Sequence, residues 1–519
     1  MKSMDHRYQK YLITIFIIAS GLTQCASENI LMVTMGGTKS HKIPFWELAR
    51  GLISRGHNIT FLSGFPADFH INGLVEITPT GFVQYIQNYT NWDLLGRRMR
   101  NQLPVPLLDI MRYPIESCDA LLDDHETKDL MNSKFNLLIL DGAFPECALG
   151  LQYKYKVPFM YINTVGYYTG STSLSGSPAP YSITPHFTQA LTDDMNFFQR
   201  VLNSGVSVLL QIMHMVTVGL LQNVVRKHLG DEIPPLYELS KNVSFILQNS
   251  HFSVSYPRPF MPNVAEIACI HCKPAQPLPN DLEDFINGSG ETGFVYVSMG
   301  SSVKAANMPE NLRQLLVNTF AKLPYRVLWK YESAISQNDL PSNVKISRWL
   351  PQQDILGHKK LRAFITHGGL LSLYETIYHG VPAVVMPVFC DHDSNSEKAK
   401  ADGYALKLHL ETLTSEKLFK AVHTVIHDKK YRREAKYRQS LLRDQKTSPL
   451  ETAIYWTEYV IRHEGAYHLQ TPGRYMGFFQ YYSFDVLCFF ILLTILIKFT
   501  LKRYIIKNAG EMNTKLKMQ

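Results

Sequence analysis

Residues 349–392, WLPQQDILGHKKLRAFITHGGLLSLYETIYHGVPAVVMPVFCDH, constrain the fold of this chain more tightly than any other stretch. The apolar run at 363–366 has the length and bounds of a strand buried in a parallel sheet. His367-Gly368-Gly369 follows, then a helical run that stops at Gly380 with Pro382 just beyond, the Gly-then-Pro ending of an α-helix. A second apolar run, 383–386, leads to Asp391 and His392. Strand, Gly-Gly turn, helix, strand is a βαβ unit, and its turn sets backbone N–H groups and an imidazole at a helix N-terminus. Such a position suits an anion, above all a phosphate. The stretch is expected to hold a phosphorylated ligand.

At 519 residues the chain exceeds one compact core, so two lobes are predicted. The formal charge of +8 comes from scattered basic residues, several of them in the termini, so no nucleic-acid partner is expected. Lys2, Arg7 and Lys10 precede an apolar run at 11–18 and small residues up to Ser27. That order is a secretory signal peptide, assigned to 1–26. Residues 481–501 are apolar except for Asp485 and Lys498, and Lys498 can snorkel, so they predict one transmembrane helix in a lipid bilayer. The basic residues Lys502, Arg503 and Lys507 behind it assign 502–519 to a cytosolic tail. The expected topology is single-pass type I, with both lobes lumenal. Lys515 and Lys517 near the end are similar to a dilysine retrieval signal, which implies the endoplasmic-reticulum membrane; an ordinary basic juxtamembrane tail accounts for them equally. Five cysteines remain for the lumenal body, an odd number that does not make a disulfide scaffold. Cys269-Ile-His-Cys272 is a CxxC without a second pair, so no zinc site is read there.

The amino-terminal lobe, 27–256, opens with an apolar run at 29–35 ended by Gly36-Gly37. His41 lies in the following loop, and Pro44 opens a helix through Ser54. A second buried-strand run at 135–140 delivers Asp141. If both strands share one parallel sheet, His41 and Asp141 meet at its carboxyl edge, where ligands bind in open α/β sheets. A carboxylate there can orient an imidazole for proton abstraction; the alternative is that Asp141 only caps the next helix. Residues 201–225 are apolar and charge-free; a second span is possible, but Asn203, Gln211, His214 and Gln222 interrupt the run, which reads instead as a buried or membrane-grazing helix near an apolar ligand site. Prolines 257, 259, 262, 274, 277 and 279 mark a linker, assigned to 257–282. The carboxyl-terminal lobe with its return helices takes 283–480, and its first strand ends at Gly300-Ser301-Ser302, a second turn suited to phosphate.

Trp349-Leu-Pro-Gln352, His367-Gly-Gly369, Ser372, Glu375 and Asp391 together match the nucleotide-sugar box of the UDP-glycosyltransferases of membrane-bound animal type, and the chain resembles that family over nearly its whole length. The resemblance implies an α/β GT-B fold, two Rossmann-like βαβ lobes facing a cleft, plus a terminal membrane helix. It implies an inverting hexosyltransferase that uses a UDP-sugar as co-substrate, with no cofactor and no metal. Trp349 would stack on uracil, Gln352 would contact the nucleoside, and Glu375 would accept from the ribose. His367, Gly369 and Ser372 would hold the diphosphate with Ser302 nearby, and Asp391 and His392 would face the sugar. The family's Ser-His-x-x-Pro pattern falls on Ser40-His41-Lys-Ile-Pro44, making His41 the general base and Asp141 its partner.

Two departures bear on the donor. Leu371 stands where the box usually has Asn, and Asp391-His392 where it usually reads Asp-Gln. In related enzymes His at that place accompanies galactose, so UDP-glucose is expected first and UDP-galactose second. Asp391-His392-Asp393 also spells the Asp-x-Asp of metal-dependent transferases, but its place in the box is the sugar contact, so no metal is expected. The acceptor is expected to be a small lipophilic molecule. The alternatives are a lipid or sphingoid galactosyltransferase and a non-catalytic membrane protein of the same fold. A homo-oligomer and a monomer fit the sequence equally.

Overall fold

Strands of three to six residues, most of them followed by a turn and a helix, build two parallel sheets, because parallel strands need crossovers that cover both faces. The computed structural model describes residues 27–516 except 37, 90, 166–172 and 334–339. The assigned signal peptide and the last three residues lie outside the described residues.

The first sheet holds β1 (Asn29–Thr34), β2 (Asn58–Ser63), β3 (Leu74–Ile77), β4 (Leu137–Asp141), β5 (Phe159–Asn163), β6 (Phe245–Gln248) and β7 (Val264–Glu266), in the order 3-2-1-4-5-6-7. Numbering only the helices used below, α1 (Lys42–Ser54), α2 (Leu94–Met99), α3 (Glu146–Tyr155) and α4 (Phe197–Leu229) belong to this half of the chain. The second sheet holds β8 (Phe294–Ser298), β9 (Arg326–Lys330), β10 (Val344–Ser347), β11 (Leu361–Thr366), β12 (Ala383–Val385) and β13 (Ala405–Lys407), in the order 10-9-8-11-12-13. Its helices include α5 (Gln352–Leu356), α6 (Leu370–His379) and α7 (His392–Ala401). Both sheets reverse direction of winding between their first and fourth strands, β1/β4 and β8/β11. That switch point is where a doubly wound sheet opens a crevice for ligands. Strands β4, β5 and β8 are buried along their whole length, as central strands covered on both faces must be.

Three sequence-based boundaries are corrected. The linker at 257–282 contains β7, which pairs with β6, so the first sheet runs on to Glu266. An edge strand needs a partner on one side only, so three residues between prolines suffice. The helix read at 201–225 runs from Phe197 to Leu229, and its alternative as a buried helix fails. Val218, Leu221 and Val225 pack inward, whereas Phe198, Val201, Leu209 and Ile212 are exposed. The terminal helix, α9 (Phe484–Leu516) once α8 (Pro449–Arg462) is counted, begins after residue 481 and continues through most of the assigned tail. Its portion Phe484–Gly510 is long and apolar enough to cross a membrane. Before it, α8 returns to the first lobe, where Ala453 and Ile454 join the core of Phe45, Leu48 and Leu52.

Candidate functional site

β1 and β4 are neighbours with Val33 opposite Leu140, so their carboxyl ends emerge side by side. A 3₁₀ turn, Lys39–His41, follows β1 and carries His41 back over the strand end. His41 Nδ1 lies 2.7 Å from Asp141 Oδ2. Asp141 is therefore more than the helix cap that the sequence also allowed. Ala143 N–H and the Thr164 hydroxyl donate to its other oxygen at 3.1 Å each, which fixes the carboxylate and compensates its charge. Thr164 Oγ1 also lies 2.8 Å from His41 Nδ1. Sequence reasoning missed this threonine; the only signal was its place just after the apolar run that became β5.

Gly36 explains how the pair fits so close to the strand. A Cβ on it would lie 2.7 Å from His41 Nδ1 and 2.9 Å from Asp141 Oδ2. With Nδ1–H donated to Asp141, the Nε2 lone pair is the basic site. Burial lowers the basicity of His41, but the charge and hydrogen bond of Asp141, with the charge of Asp391, outweigh it and leave the imidazole above its ordinary value. Asp391 belongs to the other lobe, so the two switch points are electrostatically coupled across the cleft.

In the second lobe β8 and β11 pair with Ser298 opposite Thr366, which brings the 300–302 turn and His367 to one rim. Ser302 is half-buried there. Gly369 is the N-cap of α6 and supplies no side-chain cap, so the first N–H groups of the helix stay available to an anion. A Cβ at Gly369 would meet His367 Nε2 at 2.4 Å, so glycine is what admits the ring. Burial, then the charges of His392 and Lys330, hold His367 well below the ordinary imidazole range, so it acts as a neutral hydrogen-bonding group. The His392 ring meets it edge to face at 4.6 Å. Phe389 N–H approaches His392 Nδ1 at 3.4 Å, which makes Nδ1 the acceptor and leaves the proton on Nε2.

The remaining motif residues form one network. Gln352 Nε2 donates to Glu375 Oε2 at 2.6 Å and to Ser372 Oγ at 3.1 Å, and its Oε1 accepts from the Tyr296 hydroxyl. Trp349 stands 70% exposed just before α5. Asp391 accepts from Asn395 Nδ2 at 2.8 Å, and the same amide donates to the Gly368 carbonyl, tying the α7 N-terminus to the Gly-Gly turn.

Asp393 has a different fate. Arg98 lies on α2, which comes from the first half of the chain but packs Leu94 and Leu95 into the second lobe's core; it donates to both Asp393 oxygens, at 2.9 and 3.0 Å, and Lys407 Nζ is 3.1 Å away. Burial raises the Asp393 carboxyl, but Lys407 and Arg98 prevail and hold it below the usual carboxylate range. Its oxygens are thus engaged by cations. Among the described residues no cluster of three or more His, Cys, Asp or Glu side chains could hold a metal ion. Arg98, also ion-paired with Glu411 at 2.7 Å, was invisible in the sequence. Among the described residues the cysteines form two bridges where the odd count suggested no scaffold: Cys118–Cys147 and Cys269–Cys272.

Residues 31–517 match the family described as UDP-glucoronosyl and UDP-glucosyl transferase. UDP-glucosyltransferase 2 of Dactylopius coccus is 33% identical, over 89% of this chain and 92% of that protein. The 2-hydroxyacylsphingosine 1-beta-galactosyltransferase of Homo sapiens is 32% identical, over 92% of this chain and 88% of its own length. Among solved structures, the glycotransferase of kitacinnamycin superposes with a TM-score of 0.57 at 18% identity, covering 82% of this chain and 97% of that one. That last likeness carries the fold, which is GT-B.

Proposed function

The chain belongs to the family of UDP-glucuronosyl and UDP-glucosyl transferases, enzymes that use a UDP-sugar donor, and on that premise we propose that it is an inverting hexosyltransferase with His41 as general base. The observation that carries the mechanism is the His41–Asp141–Thr164 cluster, coupled across the cleft to Asp391. His41 Nε2 takes the proton of an acceptor hydroxyl as its oxygen attacks the anomeric carbon. The bond from that carbon to the β-phosphate oxygen breaks on the opposite face, and UDP leaves with the electron pair. Asp141 stabilises the imidazolium that forms. Negative charge grows on the diphosphate, where the α6 N-terminus, His367 and Ser372 supply hydrogen bonds in a water-poor rim. Trp349 stacks on uracil and Glu375 accepts from the ribose.

Glucose is the favoured sugar, in keeping with the glucosyltransferase likeness. A galactosyl donor is the second reading, supported by His392 and by the sphingosine galactosyltransferase likeness. The proposed reaction needs no metal, because the helix terminus and His367 serve the phosphates and Asp393 is engaged by Arg98 and Lys407. The acceptor is small and lipophilic. The exposed apolar face of α4 and the membrane-length helix α9 support delivery of such a molecule from a bilayer. Two disulfides fit an oxidising lumen and with it the endoplasmic-reticulum topology.

The test is a donor panel on microsomes carrying the protein: UDP-glucose, UDP-galactose, UDP-glucuronate and UDP-N-acetylglucosamine with a phenolic acceptor. A β-linked product from an α-linked donor is expected, with UDP-glucose turned over fastest. Retention of configuration would remove the single-displacement mechanism. In His41→Ala, transfer should disappear while UDP still binds; wild-type turnover in that variant would take the base role from His41.

A further inference from the structure

The Cys269–Cys272 turn has no part in the mechanism above, yet it packs against the nucleoside end of the donor lobe. Cys269 Sγ points at the Tyr374 carbonyl, 3.7 Å away, one residue before Glu375. Gln353 of α5 clasps the turn twice: its Nε2 donates to the His271 carbonyl at 3.0 Å, and its Oε1 accepts from Lys273 N–H at 2.8 Å. A disulfide closes the turn around His271.

His271 is 5% exposed, and among the described residues neither of its ring nitrogens has a hydrogen-bond partner. A buried imidazole left so is costly, and such a group calls for a use. Nε2 lies 3.3 Å from Glu375 Oε1, within ion-pair reach but without hydrogen-bond alignment. Gln352 holds the other oxygen, Oε2. A carboxylate clamped at one oxygen still swings about its last torsion; a second contact on the other oxygen sets the plane.

We propose that the disulfide-closed turn is part of the donor site, with His271 as a positioning residue that fixes Glu375 for the two hydroxyls of the ribose. This inference rests on the reading of Glu375 as the ribose carboxylate. The bridge and Gln353 anchor the turn, the turn aims the imidazole, and the imidazole stands 3.3 Å from the carboxylate oxygen that Gln352 leaves free.

The experiment measures inhibition by UDP and by 2′-deoxy-UDP on the full-length enzyme in microsomes, with thermal unfolding of each variant alongside. In the unaltered protein the deoxy analogue is expected to bind about tenfold more weakly, the scale of one lost hydrogen bond to a charged group. Glu375→Gln should shrink that ratio to about twofold, and a wild-type ratio near one would overturn the ribose reading and this inference with it. His271→Ala should likewise lower the ratio to about two, raise the donor KM about fivefold, and leave the acceptor KM and the kcat at saturating donor unchanged. His271→Gln, which keeps an N–H near the position of Nε2, should retain most of the discrimination. A tenfold ratio that persists in His271→Ala, while Glu375→Gln abolishes it, would overturn the positioning role alone. The paired Cys269→Ala, Cys272→Ala variant should lower the ratio as His271→Ala does; an unchanged ratio there would overturn the part given to the bridge.

Discussion

Replacing Gly36 by alanine should disable the enzyme without touching any group that performs chemistry. Gly36 is not among the glycines with positive φ, so alanine fits the backbone and only space decides the outcome. The added Cβ would lie 2.7 Å from His41 Nδ1, where ordinary contact begins near 3.4 Å, so the ring must withdraw by about 0.7 Å. Asp141 Oδ2, at 2.9 Å from that Cβ, is crowded as well, but Ala143 N–H and Thr164 hold its buried carboxylate, so it cannot follow the ring. The 2.7 Å hydrogen bond therefore opens towards about 3.4 Å, past useful geometry. Misplacement by about 1 Å costs about 10²-fold, and loss of the carboxylate's hold on the imidazole can add to that, so kcat should fall by about 10²-fold or more. Overpacking should cost about 1–3 kcal/mol of stability. Steady-state kinetics by UDP release, with UDP affinity measured in parallel, would test this: kcat falls and UDP affinity stays within about twofold. A Gly36→Ala enzyme with kcat within about threefold of wild type would refute the dependence of the dyad on that missing Cβ.

Other consequences are separable. The base must be neutral to act, and His41 titrates above the ordinary imidazole value, so kcat/KM should fall as pH drops below that raised value. In Asp141→Asn the raising charge is gone and burial remains, so the acid limb should move to lower pH while kcat drops; a pH–rate profile with an unmoved limb would refute the assignment. Trp349→Ala should weaken UDP by about 1–3 kcal/mol, the scale of one aromatic–base stack, read by calorimetry or inhibition. Arg98→Ala leaves Asp393 to Lys407 and Glu411 without its ion pair, and should cost about 2 kcal/mol, discounted for partial exposure from the figure for a buried pair. Its donor KM should rise more than its acceptor KM, since Asp393 adjoins His392 at the start of α7; equal changes would mean a purely structural role. Transfer should persist in EDTA and gain nothing from Mn²⁺; an EDTA-abolished activity restored by Mn²⁺ would reject the metal-free mechanism.

The sequence by itself determined both βαβ patterns, the strand ends that carry His41, Asp141 and His367, and the turn-helix unit that offers N–H groups to a phosphate. These are legible because strand burial, turn chemistry and helix stops are written within windows of a few residues. Its boundaries failed where the signal was short. Val264–Glu266 is too brief and too hemmed by prolines to announce a strand, and α8 belongs to the first lobe's core although it follows the second. Only the tertiary structure decided which groups meet at the site. The contact of His41 with Thr164 spans 123 residues and that of Arg98 with Asp393 spans 295, and no periodicity along the chain encodes either. The same holds for Gly36, whose turn was readable but whose missing Cβ matters only because Asp141, from a strand about 100 residues away, meets His41 of the adjoining turn against it. Local order follows from backbone and side-chain preferences at each residue. The meeting of remote groups follows from how the strand order of the two sheets and the docking of the lobes bring their carboxyl edges together.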